Sequence, residues 1–304
     1  MEDFELIIDD KYTSVNISKS SMYMVLSKSN KTILFNFVNN KNICEISLKN
    51  VRYSIFSKNE DFLILGKINS IAIVSLNDFS IIKTLRTGES KAKCILIDDK
   101  LIYSNTDKEF NTSIIMYNIY NGQKQYLSKK SHSIVWSFYY DNGHICVIEE
   151  APNSDIFTLS KFNIEAKSII KYSFNIPRHG LNTVAYSNYV HGIIALVKTA
   201  DKQKTYTLFI IEPYSGKTKN IKEFNDSKLI LELKIKDNLL FIEKFSNIEI
   251  LDLTTEEEFY INSFPMPFVD FCDNPDYFTI FNGEFTSLYK IIHSHLEDGS
   301  VIDG

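Results

Sequence analysis

Histidine and acidic residues are the side chains of this sequence that could carry metal or acid–base chemistry, and few of them are spaced to do so. The chain has six histidines. Only His293 and His295 are close enough in sequence to place two rings on one face of a strand. No carboxylate or cysteine set accompanies them to complete the tetrahedral ligand shell of a structural zinc site. We therefore interpret the pair as surface histidines, and we predict no metal and no cofactor.

Signatures of nucleophilic or phosphate chemistry are also missing from the sequence. It contains no Gly-x-Ser-x-Gly, no Gly-rich phosphate loop and no His-Glu-x-x-His. The four cysteines, Cys44, Cys94, Cys146 and Cys272, are isolated within apolar segments and predict buried reduced thiols. The acidic pair Glu149-Glu150 could hold a general acid, but nothing fixes a partner for it. We therefore predict that the chain is not an enzyme.

Composition and charge favour a protein partner in the cytoplasm. The 304 residues carry a net charge of −5, which disfavours nucleic acid as a ligand and suits a basic partner. The acidic start of the chain lacks the order of a signal peptide, and no apolar run approaches the roughly 18 residues of a membrane span. We therefore predict a cytoplasmic protein that binds no membrane. The abundance of Lys, Asn, Ile and Ser indicates an AT-rich and bacterial genome.

Short apolar segments recur along the chain, separated by clusters of Asn, Asp, Gly, Ser and Lys. This pattern is typical of β-hairpins, and helical periodicity is hard to find. In the clearest unit, four predicted strands cover 51–56, 62–66, 71–76 and 81–86. The predicted repeating unit is therefore a four-stranded antiparallel meander.

The third strand of this unit can be placed repeatedly along the chain. The intervals are roughly 39 to 50 residues, close to the repeat length of propeller blades. The third strands are placed at about Thr32, Ile71, Ile114, Ile156, Tyr206, Ile248 and Ser287. The sequence thus predicts an all-β, seven-bladed β-propeller forming a single domain over 1–304. The predicted blades cover approximately 10–49, 50–86, 93–129, 133–174, 180–224, 228–264, and 268–295 together with 3–9.

The seventh predicted blade has only three strands of its own and needs a fourth. Residues 4–8 precede the first strand of blade one just as 81–86 precede that of blade three. We predict that this N-terminal strand completes the last blade and closes the ring. The segment 296–304 could compete for the same edge, but its acidic residues favour a solvated tail.

Residues 54–85 resemble a WD repeat. Ser54-Ile55-Phe56-Ser57 and Asn59 precede an apolar strand that ends at Gly66, and Leu76-Asn77-Asp78 follows where that family carries Trp-Asp. Nearly the whole chain is similar to a degenerate WD-repeat β-propeller, although no blade keeps the Trp-Asp or Gly-His pair. The resemblance implies the architecture and not a particular function.

One face of such a propeller carries the loops between fourth and first strands and between second and third strands. Aromatic and Arg side chains in these loops are typical interface anchors, and acidic side chains would meet a basic ligand. The predicted partner-binding residues are Asp107, Glu109, Phe110, Trp136, Glu149, Glu150, Asp155, Arg178, His179 and Phe285. An alternative interpretation stays open, in which Trp136 is inter-blade core and the acids only confer solubility.

Three functional hypotheses follow from the sequence. The first is an immunity protein, monomeric apart from its partner, that neutralises a basic toxin such as a nuclease by covering its active site. The second is a general cytosolic scaffold for protein complexes. The third is a propeller hydrolase with a metal held near the ring axis by residues such as Asp98, Asp270 and Asn182.

Overall fold

In the computed structural model, all the regular secondary structure of the described residues is β-strand, joined by turns and short connections. The described residues are 2–88, 94–141, 143–151, 156–165, 167–175, 183–187, 192–198, 206–212, 215, 217–224, 230–262, 267–281, 284 and 286–293. None of their helices is long and apolar enough to cross a bilayer.

The strands of the described residues form seven four-stranded antiparallel sheets, which we number along the chain. Sheet 1 is β2 (Ser14–Ile17), β3 (Tyr23–Ser27), β4 (Thr32–Asn36) and β5 (Lys41–Ile46); sheet 2 is β6 (Tyr53–Phe56), β7 (Phe62–Gly66), β8 (Ser70–Ser75) and β9 (Ile81–Arg86). Sheet 3 is β10 (Cys94–Ile97), β11 (Lys100–Thr106), β12 (Asn111–Asn118) and β13 (Lys124–His132); sheet 4 is β14 (Ile134–Asp141), β15 (His144–Glu150), β16 (Ile156–Asn163) and β17 (Ser168–Asn175).

The remaining sheets follow the same order, except that the last one takes its fourth strand from the start of the chain. Sheet 5 is β18 (Thr183–Ser187), β19 (Gly192–Lys198), β20 (Tyr206–Ile211) and β21 (Thr218–Phe224); sheet 6 is β22 (Ile230–Lys236), β23 (Leu239–Lys244), β24 (Asn247–Asp252) and β25 (Glu258–Asn262). Sheet 7 is β26 (Phe268–Phe271), β27 (Tyr277–Phe281) and β28 (Thr286–His293), with β1 (Glu2–Asp10) at its outer edge.

Burial within a sheet explains why its residues form strands in this order. The second strand of sheet 2 is buried along its whole length, whereas the outer strand β9 is exposed except at Leu85. A strand buried on both faces needs sheets on either side of it, and hydrophobic clusters join neighbouring sheets. In one such cluster Ile64 and Ile73 of sheet 2 pack with Leu101 and Ile115 of sheet 3.

The first and last sheets pack against each other. Val15 and Ile17 of sheet 1 share a hydrophobic cluster with Cys272 and Leu288 of sheet 7. The strand β1 pairs antiparallel with β28, as the sequence predicted for the N-terminal segment. The competing segment 296–304 lies outside the described residues.

Gly66 allows a close approach inside sheet 2. It pairs with Tyr53 across the ladder, and an added Cβ would lie 1.9 Å from Cζ of the Tyr53 ring. The Tyr53 hydroxyl in turn accepts a hydrogen bond from the Cys94 thiol of sheet 3 at 3.3 Å. The ring therefore takes the space above Gly66 and reaches the next sheet.

Gly66→Ala is expected to lower the free energy of unfolding by about 1–3 kcal/mol, because the methyl group displaces the Tyr53 ring. Urea denaturation measures the loss. In a Tyr53→Ala background the same substitution should cost clearly less. Equal losses in the two backgrounds would show that the ring is not what the methyl group meets.

Candidate protein-binding face

The antiparallel order of each sheet places four kinds of strand end on one side of the molecule. These are the starts of first and third strands and the ends of second and fourth strands. We call this side the 2–3 face because it carries the connections between second and third strands. It is the side on which the sequence predicted partner binding.

Several large apolar side chains are exposed on the 2–3 face. They lie in second-to-third connections or at the first residue of a first or third strand: Ile68, Phe110, Ile134, Ile156, Phe245 and Phe268. On the opposite side the exposed large apolar residues include Met22, Val38, Ile81, Tyr120 and Tyr140. Tyr120 is held there by edge contact with Phe62 and by a hydrogen bond to Asp61.

Phe110 lies at the tip of a loop whose backbone is fixed from within. It is 55% exposed and adopts φ 60°, the left-handed region that bulky residues rarely occupy. Asp107 Oδ1 accepts hydrogen bonds from the backbone N–H groups of Glu109 and Asn111, both at 2.9 Å. Asn111 Nδ2 donates to Asp107 Oδ2 at 3.0 Å, and these bonds lower the pKa of Asp107. Asp107 thus holds the loop in shape, while Phe110 is exposed to solvent and the exposed Glu109 accepts a hydrogen bond from Asn111 Nδ2 at 3.3 Å.

Phe110, Ile134 and Ile156 are exposed at the ends of neighbouring backbone segments of sheets 3 and 4, and we call these three residues the Phe110 patch. The backbone N–H of Ser133, next to Ile134, donates to the Phe110 carbonyl at 3.3 Å. Ile134 pairs with Glu150, the residue that also pairs with Phe157 beside Ile156. The patch therefore bridges sheets 3 and 4.

The expectation that Glu149 and Glu150 belong to an exposed acidic loop is wrong. They end strand β15, and they are 5% and 0% exposed. Glu149 accepts hydrogen bonds from the hydroxyls of Ser133 at 2.8 Å and Ser160 at 3.2 Å. A buried carboxylate needs such donors to replace water, and here neighbouring strands supply them. Glu149 thereby joins sheet 4 to the connection that leads into it from β13.

Trp136 is also a structural residue. Its indole N–H donates to Glu150 at 2.7 Å, and its ring packs against a cluster that includes Phe157 of sheet 4 and Phe209 of sheet 5. The inter-blade interpretation of Trp136 is therefore confirmed, and its predicted place on the exposed face is wrong. The remaining predicted residues, Asp155, Arg178, His179 and Phe285, lie outside the described residues.

A cavity of about 300 Å³ opens on the 2–3 face where the inner strands of sheets 1, 6 and 7 approach sheet 2. Its charged lining is Arg52, Glu232, Lys234 and Asp270, and its apolar lining includes Ile68, Phe268 and Phe281. We call it the axial cavity. Lys234 donates to the Val269 carbonyl, and its Nζ lies 4.0 Å from Glu243 Oε1. Although burial lowers the pKa of Lys234, the carboxylates of Asp270, Glu243 and Glu232 outweigh it and raise that pKa overall.

Glu243 is a buried acid directly behind the axial cavity. It is fully buried, and its Oε1 accepts the Val269 N–H at 2.7 Å, but its Oε2 has no hydrogen-bond partner among the described residues. Burial raises the pKa of Glu243 to about 7, with Lys234 opposing the rise and Glu232 adding to it. The folded state therefore holds a proton at Glu243 that the unfolded chain releases at lower pH.

Glu243 should make the protein less stable as the pH rises. Its folded pKa lies above the unfolded value of 4.5, so its contribution is present below pH 4.5 and is lost as the pH rises to about 7. Glu243→Gln should therefore flatten this decline and leave the variant more stable than the wild type at pH 7.5, by about 1–2 kcal/mol. Urea denaturation of both proteins from pH 5 to pH 7.5 measures the difference. Parallel stability curves would contradict the assignment.

No reactive cluster accompanies these groups in the described part of the chain. Among those residues no three His, Cys, Asp or Glu side chains are grouped to hold a metal ion. All four cysteines are free; Cys146 and Cys272 are buried, whereas Cys44 and Cys94 are only half-buried. Burial raises the pKa of the Cys146 thiol to about 11 and that of Cys272 to about 12. Unreactive thiols are what such values imply.

Solved structures match this fold across nearly the whole chain. The β-propeller domain of Cps50 (Swd1) from Myceliophteria thermophila has a TM-score of 0.67 at 10% identity, over 96% of this chain and 100% of that chain. A chain of the mitotic checkpoint complex gives 0.64 at 10% identity, over 96% and 91%. Kuenenia stuttgartiensis hydrazine synthase gives 0.65 at 12% identity, over 91% and 95%.

At these identities the likeness shows the fold alone. The chain is a β-propeller with four-stranded antiparallel blades, and it resembles WD40 proteins. No protein-family model and no curated protein matches its sequence. Since one similar structure is named as a synthase, the fold does not separate binding proteins from enzymes.

Proposed function

We propose that the chain is a non-catalytic propeller that binds a protein partner on its 2–3 face, with the Phe110 patch as the anchor. The left-handed backbone of the exposed Phe110 is the observation that carries this proposal. Such a conformation costs about 1–3 kcal/mol and persists where the surroundings fix it, commonly at binding sites. Asp107 fixes it here, so the aromatic side chain is already in place before a partner arrives.

The proposal takes the seven sheets as seven blades of one ring that β1 closes. The shared cluster of Val15, Ile17, Cys272 and Leu288 supports it, because it joins the first sheet to the last. A closed ring gives the 2–3 face a rigid frame. Rigid frames reduce the ordering cost of binding.

Two identities for the partner are carried forward from the sequence. The toxin-inhibitor hypothesis relied on an exposed acidic cluster, and the burial of Glu149 and Glu150 removes two of its members. No comparison supports that hypothesis. The scaffold hypothesis gains modest support from the similarity to a chain of the mitotic checkpoint complex, an assembly of proteins.

The proposal is tested by the yield of co-purified partners from source cells. Phe110→Asp should lower the yield at least about tenfold, because interface anchors contribute about 2 kcal/mol or more. Val38→Asp is the matched control, since Val38 is 78% exposed on the opposite face. Urea denaturation must first show that both variants are folded. Equal yields from both variants and the wild type would contradict the proposal.

The same purification separates the two partner hypotheses. A single basic protein encoded next to this gene would favour the toxin inhibitor. Several cytosolic proteins encoded elsewhere would favour the scaffold.

A further inference from the structure

We propose that the axial cavity binds a small zwitterion, specifically a free α-amino acid with an apolar side chain. This activity goes beyond protein binding and does not depend on it. The placement of charges in the cavity, its apolar wall and its size each fit such a ligand.

Two opposite charges face the cavity without an ion-pair partner. No carboxylate among the described residues lies within salt-bridge distance of the Arg52 guanidinium, and no described cation lies so close to Asp270. Arg52 immediately precedes the inner strand of sheet 2, whereas Asp270 lies on the inner strand of sheet 7. Their chain positions place a positive and a negative group on different walls of one cavity.

The cavity lining as a whole holds equal numbers of positive and negative groups. Lys234 is already engaged by the Val269 carbonyl and by the buried Glu243. Glu232 lies on the same strand as Lys234, so the charged lining holds two cations and two carboxylates. A ligand with a net charge would meet an unfavourable group on one wall. A neutral ligand with separated poles would not.

The chemistry of the two poles selects a carboxylate and an ammonium group. Guanidinium groups bind carboxylates through two parallel hydrogen bonds, and an aspartate accepts hydrogen bonds from an ammonium group. In the proposed complex the ligand carboxylate binds Arg52 and the ligand ammonium binds Asp270. An α-amino acid carries both groups on one carbon atom.

The remaining wall favours an apolar side chain of modest size. Ile68, Phe268 and Phe281 line the cavity beside the charged groups. Its volume of about 300 Å³ is at the lower end for small-molecule sites, which suits a single amino acid. Leucine and phenylalanine are therefore the probes of choice.

Isothermal titration of the whole protein with L-leucine and with L-phenylalanine tests the proposal. We expect saturable binding of at least one of them, and no binding of leucinamide or N-acetyl-leucine, which each lack one charged pole. Arg52→Gln and Asp270→Asn should each weaken binding at least about tenfold, since each removes a charge-assisted hydrogen bond. Arg52 is exposed, so Arg52→Gln should keep the wild-type urea midpoint; Asp270→Asn also removes a carboxylate that acts on Lys234, so urea denaturation must first show that this variant is folded.

Two results would overturn the proposal. One is the lack of saturable binding of both amino acids at about 10 mM, ten times a weak dissociation constant of 1 mM. The other is binding that neither substitution weakens. Either result leaves partner binding by the Phe110 patch untouched, because Phe110, Ile134 and Ile156 do not line the cavity.

Discussion

Replacing Glu249 with alanine is expected to lower the free energy of unfolding by about 3–5 kcal/mol. Glu249 is 2% exposed and joins Lys244 at 2.8 Å and Lys222 at 3.1 Å. Lys222 comes from sheet 5, whereas Glu249 and Lys244 belong to sheet 6, so the carboxylate crosses from one sheet to the next. Without it, the Lys244 ammonium stays buried and loses its partner carboxylate, which is the costly way to break an ion pair.

Glu45→Ala is the matched control for this experiment. Glu45 pairs with Lys31 at 2.7 Å, but both side chains are substantially exposed. Exposed pairs contribute about 0–1 kcal/mol, so the control should leave the urea midpoint almost unchanged. If the two variants lost equal stability, the cluster at Glu249 would not be the inter-sheet contact that we infer.

Asn16→Ala should be the most damaging change at the junction of the first and last sheets, with an expected loss of about 2–4 kcal/mol. The Asn16 side chain donates to the Ser54 carbonyl and to Asp273 Oδ2, both at 2.8 Å, and it accepts the Asp273 N–H at 2.8 Å. It thereby joins sheet 1 to sheet 2 and to sheet 7. Removing it leaves several buried polar groups without a hydrogen bond, and each costs about 1–3 kcal/mol.

Asp273 makes this junction sensitive to the loss of Asn16. Burial raises the pKa of Asp273 to about 6, against the hydrogen bonds that it accepts from the Phe56 N–H and from Asn16. The control is Asn39→Ala, an exposed turn residue that accepts a hydrogen bond from the Lys41 N–H at 3.2 Å. Urea denaturation of both variants should show a loss at Asn16 well above that at Asn39. A comparable loss would mean that the first and last sheets do not depend on each other.

The strand order could be predicted from the sequence because its signals are local. The third strands placed at Thr32, Ile114 and Tyr206 fall within β4, β12 and β20. Short apolar runs and turn residues fix such positions without any knowledge of distant contacts. The N-terminal strand was predictable for a related reason, since the seventh repeat lacked one strand and residues 4–8 had no other sheet to join.

The burial of Glu149 could not be predicted in the same way. Whether an acid at the end of a strand is solvated or buried depends on which donors surround it. For Glu149 these are Ser133 and Ser160, which lie on either side of it in the chain and approach only in the folded sheet. The hydrogen bond between Trp136 and Glu150 likewise depends on the pairing of β14 with β15, which the sequence alone does not show.

Most of the exposed apolar residues on the 2–3 face were not predicted from the sequence. Part of the pattern that marks them is nevertheless visible there. Ile134, Ile156 and Phe268 each occupy the first position of a strand, just after a polar or proline-containing connection. An apolar residue at that position can lie beyond the reach of the neighbouring sheet, as it does here. Of these three residues, only Ile156 was predicted to start a strand, whereas Phe110 was predicted to bind a partner because it lies within a loop.

Site-specific photo-crosslinking tests the central claim most directly. A photoreactive phenylalanine analogue placed at Phe110 should form a covalent adduct with a partner in source cells, because Phe110 is the proposed anchor. The same analogue at Val38, on the opposite face, should not form that adduct. An adduct at Val38 with none at Phe110, or equal adducts at both positions, would contradict the binding face that we propose.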